Sequence, residues 1–202
     1  MRGITAMSTI TCFKAYDVRG RVPEQLNADI ARRIAQGFVA HLKPRAIVVG
    51  YDIRNESPEL AGAVRDGLQR AGVDVIDLGL CGTEEVYFHA FNGEQRGVDG
   101  GIMITASHNP KGDNGLKMVK QGARPLSPED LAAIKTLAEE NRFTPASEPG
   151  KIHNRTNKTD YIQHLLGYIN PQQLKPLRIV ANPGNGGAGL VTHLLAQHLP
   201  VD

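Results

Sequence analysis

Strand-like and helix-like runs alternate along this chain with short connections, and that alternation narrows the fold to a layered α/β domain rather than a bundle or sandwich. Asn27 reads as an N-cap before an amphipathic helix to about Leu42, followed by a strand at 46–50. Ser57-Pro58 predicts a second helix, with Ser57 as cap and Pro58 at the first position, ending near Gly72 before a strand at 73–78. Thr83 is expected to cap a third helix through about Phe91, with Glu84 and Glu85 at its positive end. A strand at 101–106, a turn rich in Gly and Asn, a return strand at 115–119 and a helix capped by Ser127 to about Asn141 complete the unit.

From 143 to 158 the composition shifts to Thr, Pro, Ser, Asn, Lys and Gly, which reads as a linker. The first domain is therefore expected over 8–145 and the start of a second α/β unit over 156–202. The second would hold a helix at about 160–168, a strand at 178–181, the glycine-rich loop 182–189 and a helix from about 190. One strand and two helices bury too little surface to stand alone, so the expectation is that this unit continues further or packs on the first.

Composition removes several classes of function. A chain of 202 residues with 41% hydrophobic and 22% charged residues can bury a real core. Its net charge of +2 gives no case for a nucleic-acid or anionic-membrane partner. No apolar run approaches the roughly 20 residues that span a bilayer. The first residues lack the apolar core of a signal peptide, and Met7 can serve as an alternative start. Cys12 and Cys81 form no CxxC pair or metal-ligand spacing, consistent with reduced thiols in the cytoplasm.

The chemistry concentrates in Thr105-Ala-Ser-His-Asn-Pro110. An apolar strand runs there into a serine, and Asn109-Pro110 holds the backbone extended or turned. Ser107 is thus placed at the C-terminal edge of a strand, where open α/β sheets bind ligands. With His108, Asn109 and Lys117 nearby, this hydroxyl suits acyl or phosphoryl transfer. The Gly-x-Ser-x-Gly elbow of acyl hydrolases is missing: in Ala106-Ser-His-Asn-Pro110, Asn109 stands at its second glycine and Pro110 follows. Phosphoryl transfer instead needs positive charge and donors around the phosphoryl oxygens, a metal and a group that moves a proton.

Three other polar loops accompany this one. In Lys14-Ala-Tyr-Asp-Val-Arg-Gly20, Arg19 can fork onto a phosphate, although an Asp17–Arg19 pair in a turn is the simpler reading of that cluster alone. Asp52 and Arg54 follow a strand and can buttress a neighbouring loop or touch a ligand. The loop 79–85 is explained by helix capping. Gly184, Gly186 and Gly189 formally match a dinucleotide fingerprint, which would make a nicotinamide-dependent oxidoreductase; a tight turn with close helix packing explains the same glycines.

Taken in order, Ala15-Tyr-Asp-Val-Arg-Gly20, Gly50-Tyr-Asp-Ile-Arg54, Gly82-Thr83, Thr105-Ala-Ser-His-Asn-Pro110 with Asn114-Gly-x-Lys117, and Asn182-Pro-Gly-Asn-Gly186 resemble the α-D-phosphohexomutase family. Glu84-Glu85 is similar to its bacterial phosphomannomutase branch. The resemblance implies a three-layer α/β/α domain I, a mixed sheet flanked by helices, followed by an incomplete second α/β domain. It implies that phosphorylated Ser107 exchanges its phosphoryl group with hexose phosphates, mannose 6-phosphate and mannose 1-phosphate, through a hexose 1,6-bisphosphate, on the route to GDP-mannose; phosphoglucomutase is the alternative within the family. By the same resemblance, Tyr16, Arg19, Asn109 and Lys117 meet substrate or the serine loop, and His108 and Lys117 assist proton transfer. Mg²⁺ would bind a phosphoryl oxygen on Ser107 and three aspartates. The Asp-x-Asp-x-Asp run that supplies those aspartates in the family is not in this sequence, so the chain alone is expected to be an inactive N-terminal portion.

Overall fold

The structure, a computed structural model, describes residues 9–202; Met7 as a start and residue 8 as a domain boundary fall outside the described residues. In chain order its elements are β1 (Val18–Arg21), α1 (Ala28–Leu42), β2 (Ala46–Tyr51), α2 (Ser57–Arg70), β3 (Asp74–Leu80) and α3 (Thr83–Asn92). They continue with β4 (Gly100–Ile104), β5 (Asp113–Lys120), β6 (Arg124–Pro125), α4 (Pro128–Glu140), β7 (Ile152–Asn154), α5 (Thr159–Leu166) and α6 (Ala188–Ala196). The strands form one sheet in the order β1-β5-β4-β2-β3-β7, with β6 beside β5. β4, β2, β3 and β7 run parallel, whereas β5 is antiparallel to β4, β1 and β6. The mixed three-layer expectation is met.

Period-2 alternation separates the two faces. Ile47, Val49, Ile102 and Ile104 join the main core with apolar residues of α1, α2 and α4, while Val48 and Met103 join a smaller core with Val86 of α3. Both faces of the central strands are therefore dry, which is why they read as continuous apolar runs. Asn27 caps α1 by accepting from the Ile30 N–H at 3.0 Å. Ser127 and Asp130 cap α4 reciprocally, and Asn141 ends that helix in the left-handed region at φ 49°.

Several local expectations are corrected. Ser57 does not cap α2: it is the first helical residue, fully buried, and its hydroxyl donates to Asp52 Oδ1 at 2.6 Å. Thr83 is likewise inside α3; the cap is Gly82, whose N–H donates to Glu85 Oε1 at 3.1 Å. Val18, Arg19 and Gly20 of the polar cluster 14–20 belong to strand β1, because β5 offers it a ladder from Val18↔Leu116 to Arg21↔Asp113. Within 143–158, β7 extends the sheet beside β3. Residues 178–181 form no strand; Leu177 makes a single bridge to Val201, and Val180 is fully exposed.

Candidate active site

From β2 the chain passes through α2 to β3 on one side, then through α3 to β4 on the other. The C-terminal ends of β2, β3 and β4 consequently converge at the switch point of the parallel segment. They bring residues 52–54, 81–83 and 105–107 around a cavity of about 410 Å³, within the range of small-molecule sites. Tyr161 of α5 and Gly186 and Gly187, just before α6, also border it. A larger cavity, about 790 Å³, lies between β3, α5 and α6 and is lined by no residue of the serine loop.

Ser107 is exposed and has φ 54°, a left-handed conformation rare for a residue with a side chain. Such a backbone persists only where its surroundings over-determine it. Here the Ser107 N–H donates to Thr105 Oγ1 at 2.8 Å, and the Asn109 N–H to the Ala106 carbonyl at 3.0 Å. The Ser107 hydroxyl lies 3.3 Å from His108 Nδ1.

Arg54 holds the loop from the β2 side. Its guanidinium donates to the carbonyls of Ser107 (3.1 Å), Asn109 (2.6 Å), Pro110 (3.0 Å) and Asp113 (3.1 Å). Asp52 faces the same guanidinium at 3.6 Å and accepts from Ser57, whose hydroxyl accepts from buried Asn114 at 2.9 Å. A five-donor planar fork can bind several carbonyls at once, which an ammonium cannot reproduce. The open choice for Arg54 is therefore resolved as a buttress, one that reaches the serine loop directly.

Arg19 grips the other flank. It pairs with Asp17 at 2.9 Å, as the simpler reading of that cluster has it, and its Nη1 also donates to the Ala106 carbonyl (3.0 Å) and Asn109 Oδ1 (2.7 Å). Lys117, on β5, lies 3.6 Å from the same Asp17 carboxylate. Asn109 in turn donates to Asp113 Oδ2 at 3.3 Å. Arg19, Asn109 and Lys117 thus form one connected cluster at the serine loop, which Tyr16, 85% exposed, does not join; of the predicted site residues only Ser107 lines the cavity itself. Gly115 permits the close approach of β1, β5 and the serine loop: a Cβ there would stand 2.2 Å from the Val18 carbonyl and 2.9 Å from that of Thr105.

One contributor had no sequence signal. Lys158, inside the expected linker, donates to Glu85 Oε2 at 2.7 Å and to the Leu80 carbonyl at 3.1 Å. Burial pushes the Cys81 thiol up to about 12, followed in weight by the nearby Glu85 charge, and burial pushes that of Cys12 up to about 11. Both cysteines are buried and free. Burial likewise lowers His89, on α3, to about 4, with Arg155 adding to the effect.

Among the described residues no three His, Cys, Asp or Glu side chains converge to hold a metal ion. The carboxylates supporting the loop are already engaged: Asp17 by Arg19, Asp52 by Ser57 and Arg54, Asp113 by Asn109. These residues do not by themselves fit Mg²⁺. The glycine loop also lacks its dinucleotide context, since residues 178–181 leading directly into it form no strand; Gly184, at φ 61°, donates its N–H to Asn182 Oδ1 in a local turn. No described helix is long and apolar enough to cross a membrane.

The family model for "Phosphoglucomutase/phosphomannomutase, alpha/beta/alpha domain I" matches residues 11–145. The chain is 48% identical over 195 residues to a protein named "Phosphohexose mutases" from Xanthomonas campestris, covering 96% of this chain and 43% of that one. It is 50% identical over 188 residues to a "Phosphomannomutase" of Escherichia coli K12, covering 92% of this chain and 41% of the relative. A crystal structure of a phosphoglucomutase/phosphomannomutase family protein from Burkholderia thailandensis superposes with a TM-score of 0.82 at 34% identity, over 95% of this chain and 42% of that one. The chain therefore spans about two-fifths of the length of these curated relatives. A matched domain over most of the chain, relatives at about half identity and the same fold agree that it belongs to the phosphoglucomutase/phosphomannomutase family.

Proposed function

We propose that this chain carries the phosphoserine part of a cytoplasmic phosphomannomutase that interconverts mannose 6-phosphate and mannose 1-phosphate through a hexose 1,6-bisphosphate. The observation that carries the reading is Ser107 itself: an exposed hydroxyl on a left-handed residue whose loop is gripped on both flanks by arginines. A phosphate carrier needs this arrangement, since rate in phosphoryl transfer comes mainly from positioning and charge stabilisation.

In the forward transfer a sugar hydroxyl attacks phosphorus on Ser107. The new sugar O–P bond forms as the P–Oγ bond breaks; one proton leaves the sugar hydroxyl and one returns to Oγ, so the balance is closed. The 3.3 Å separation of His108 Nδ1 from Oγ supports a role for His108 in returning that proton. Lys117 provides positive charge and proton exchange on the β5 flank, with Tyr16, Arg19 and Asn109 as substrate-side or loop-shaping groups. Mg²⁺, held by the Ser107 phosphoryl group and by ligands beyond those described, would supply charge neutralisation. Domain I over 8–145 and the start of domain II over 156–202 are the division that goes with this reading.

Intact-mass spectrometry tests it. Incubation with mannose or glucose 1,6-bisphosphate is expected to add one phosphoryl group to the wild-type chain and none to Ser107→Ala. A wild-type chain that stays unmodified argues against the carrier. The purified 202-residue chain is also expected to show no mutase turnover by itself; measurable turnover removes that part of the proposal.

A further inference from the structure

One wall of the cavity beside Ser107 depends on a residue far along the chain. Residues 81–82, which join β3 to α3, and residues 83–85 at the start of α3 form that wall. The Glu85 carboxylate accepts from the Gly82 N–H through Oε1 (3.1 Å) and from Lys158 through Oε2 (2.7 Å). Lys158 also donates to the Leu80 carbonyl at the end of β3 (3.1 Å). A single ammonium, set immediately before α5, thus ties the end of β3 to the first turn of α3. The two side chains are only 9% and 4% exposed. Water cannot readily take the ammonium's place there, and without it the carboxylate is buried and unpaired. Three residues on, Tyr161 lines the same cavity and packs its ring 5.5 Å from that of Phe88 on α3.

We propose that Lys158 is a positioning residue: by holding Glu85 it holds Gly82 and Thr83 in the wall facing Ser107, and so couples the seating of α5 to the geometry of the serine cavity. It touches no reacting atom and acts through Glu85. Its effect on phosphoryl transfer rests on the phosphoserine reading; its effect on the wall does not.

Cys81, adjacent to Gly82 and 6% exposed, reports the state of the wall, while Cys12 reports the main core. In the full 202-residue chain, Lys158→Met is expected to raise iodoacetamide labelling of Cys81 by about tenfold and to speed amide exchange at Gly82 and Thr83, with Cys12 labelling unchanged. Ser107 phosphorylation from a hexose 1,6-bisphosphate is expected to slow by about tenfold in the same variant, and Lys158→Arg should restore both readouts. If Lys158→Met labels both cysteines alike, the double variant Lys158→Met, Glu85→Gln leaves no unpaired charge and carries the test with the same expected contrast. A wild-type Cys81 rate in the folded variant overturns the proposal, as does wall opening that leaves phosphorylation at its wild-type rate. If wild-type Ser107 takes up no phosphate, the phosphoserine reading falls, and the labelling contrast alone decides whether Lys158 holds the wall.

Discussion

The sheet unit and the segment 171–202 contain similar apolar material and treat it in opposite ways. In the sheet, β2 is hydrogen-bonded to β3 on one side and β4 on the other, and Ile47, Val48 and Val49 are completely buried. Residues 178–181 have a comparable apolar pattern, yet they remain outside any strand and Val180 is fully exposed. A strand is stabilised by its ladder and by the surface it packs on, so β propensity without neighbours has little to act upon. α5 is intermediate: it follows the last strand of the sheet in sequence, and Lys158, Tyr161 and His164 attach it to α3.

The strongest test of this contrast is stability. Phe38→Ala, in the main core, is expected to cost about 3–5 kcal/mol, whereas Val180→Ala should change stability by less than about 0.5 kcal/mol. Equal shifts in urea unfolding midpoints would dissolve the distinction. Arg54→Ala comes next, because four loop carbonyls lose their donor. It should cost about 2–3 kcal/mol, with faster amide exchange across 105–113 and little recovery in Arg54→Lys; full recovery by lysine would deny the fork its role.

The smallest step, that of a single pH unit, concerns His89 on α3, where Arg155 and Asp160 lie near it. His89 has its folded pKa lowered from 6.5 to about 4, so between those values the unfolded chain takes a proton that the folded chain refuses. Stability contributed by the neutral buried ring is complete above about pH 6.5 and is lost as pH falls toward 4, at up to ~1.4 kcal/mol per pH unit. His89→Leu should flatten that part of the stability profile. An unchanged slope would assign the acid sensitivity to other groups.

Legibility followed the range of the interactions. The caps at Asn27 and Ser127 were readable because each closes a hydrogen bond three residues away. Ser57 and Thr83 have the same chemistry and do not cap, because Asp52 accepts from the Ser57 hydroxyl and Glu85 occupies the Gly82 N–H. β1 and β7 were missed because their own residues carry little strand signal; β5 and β3 supply the ladders.

Local pattern along the chain is enough to specify the alternation of elements, the apolar core strands and the position of Ser107 after a buried strand, since these depend on periodicity and on backbone preferences of neighbouring residues. The grip of Arg54 and Arg19 on the serine loop from opposite flanks, the support of Asp52 by Asn114 through Ser57 and the reach of Lys158 to Glu85 across 73 residues arise only in the folded chain. Those contacts join residues distant in the chain, and their energies depend on burial and exact approach, neither of which is encoded in a local pattern.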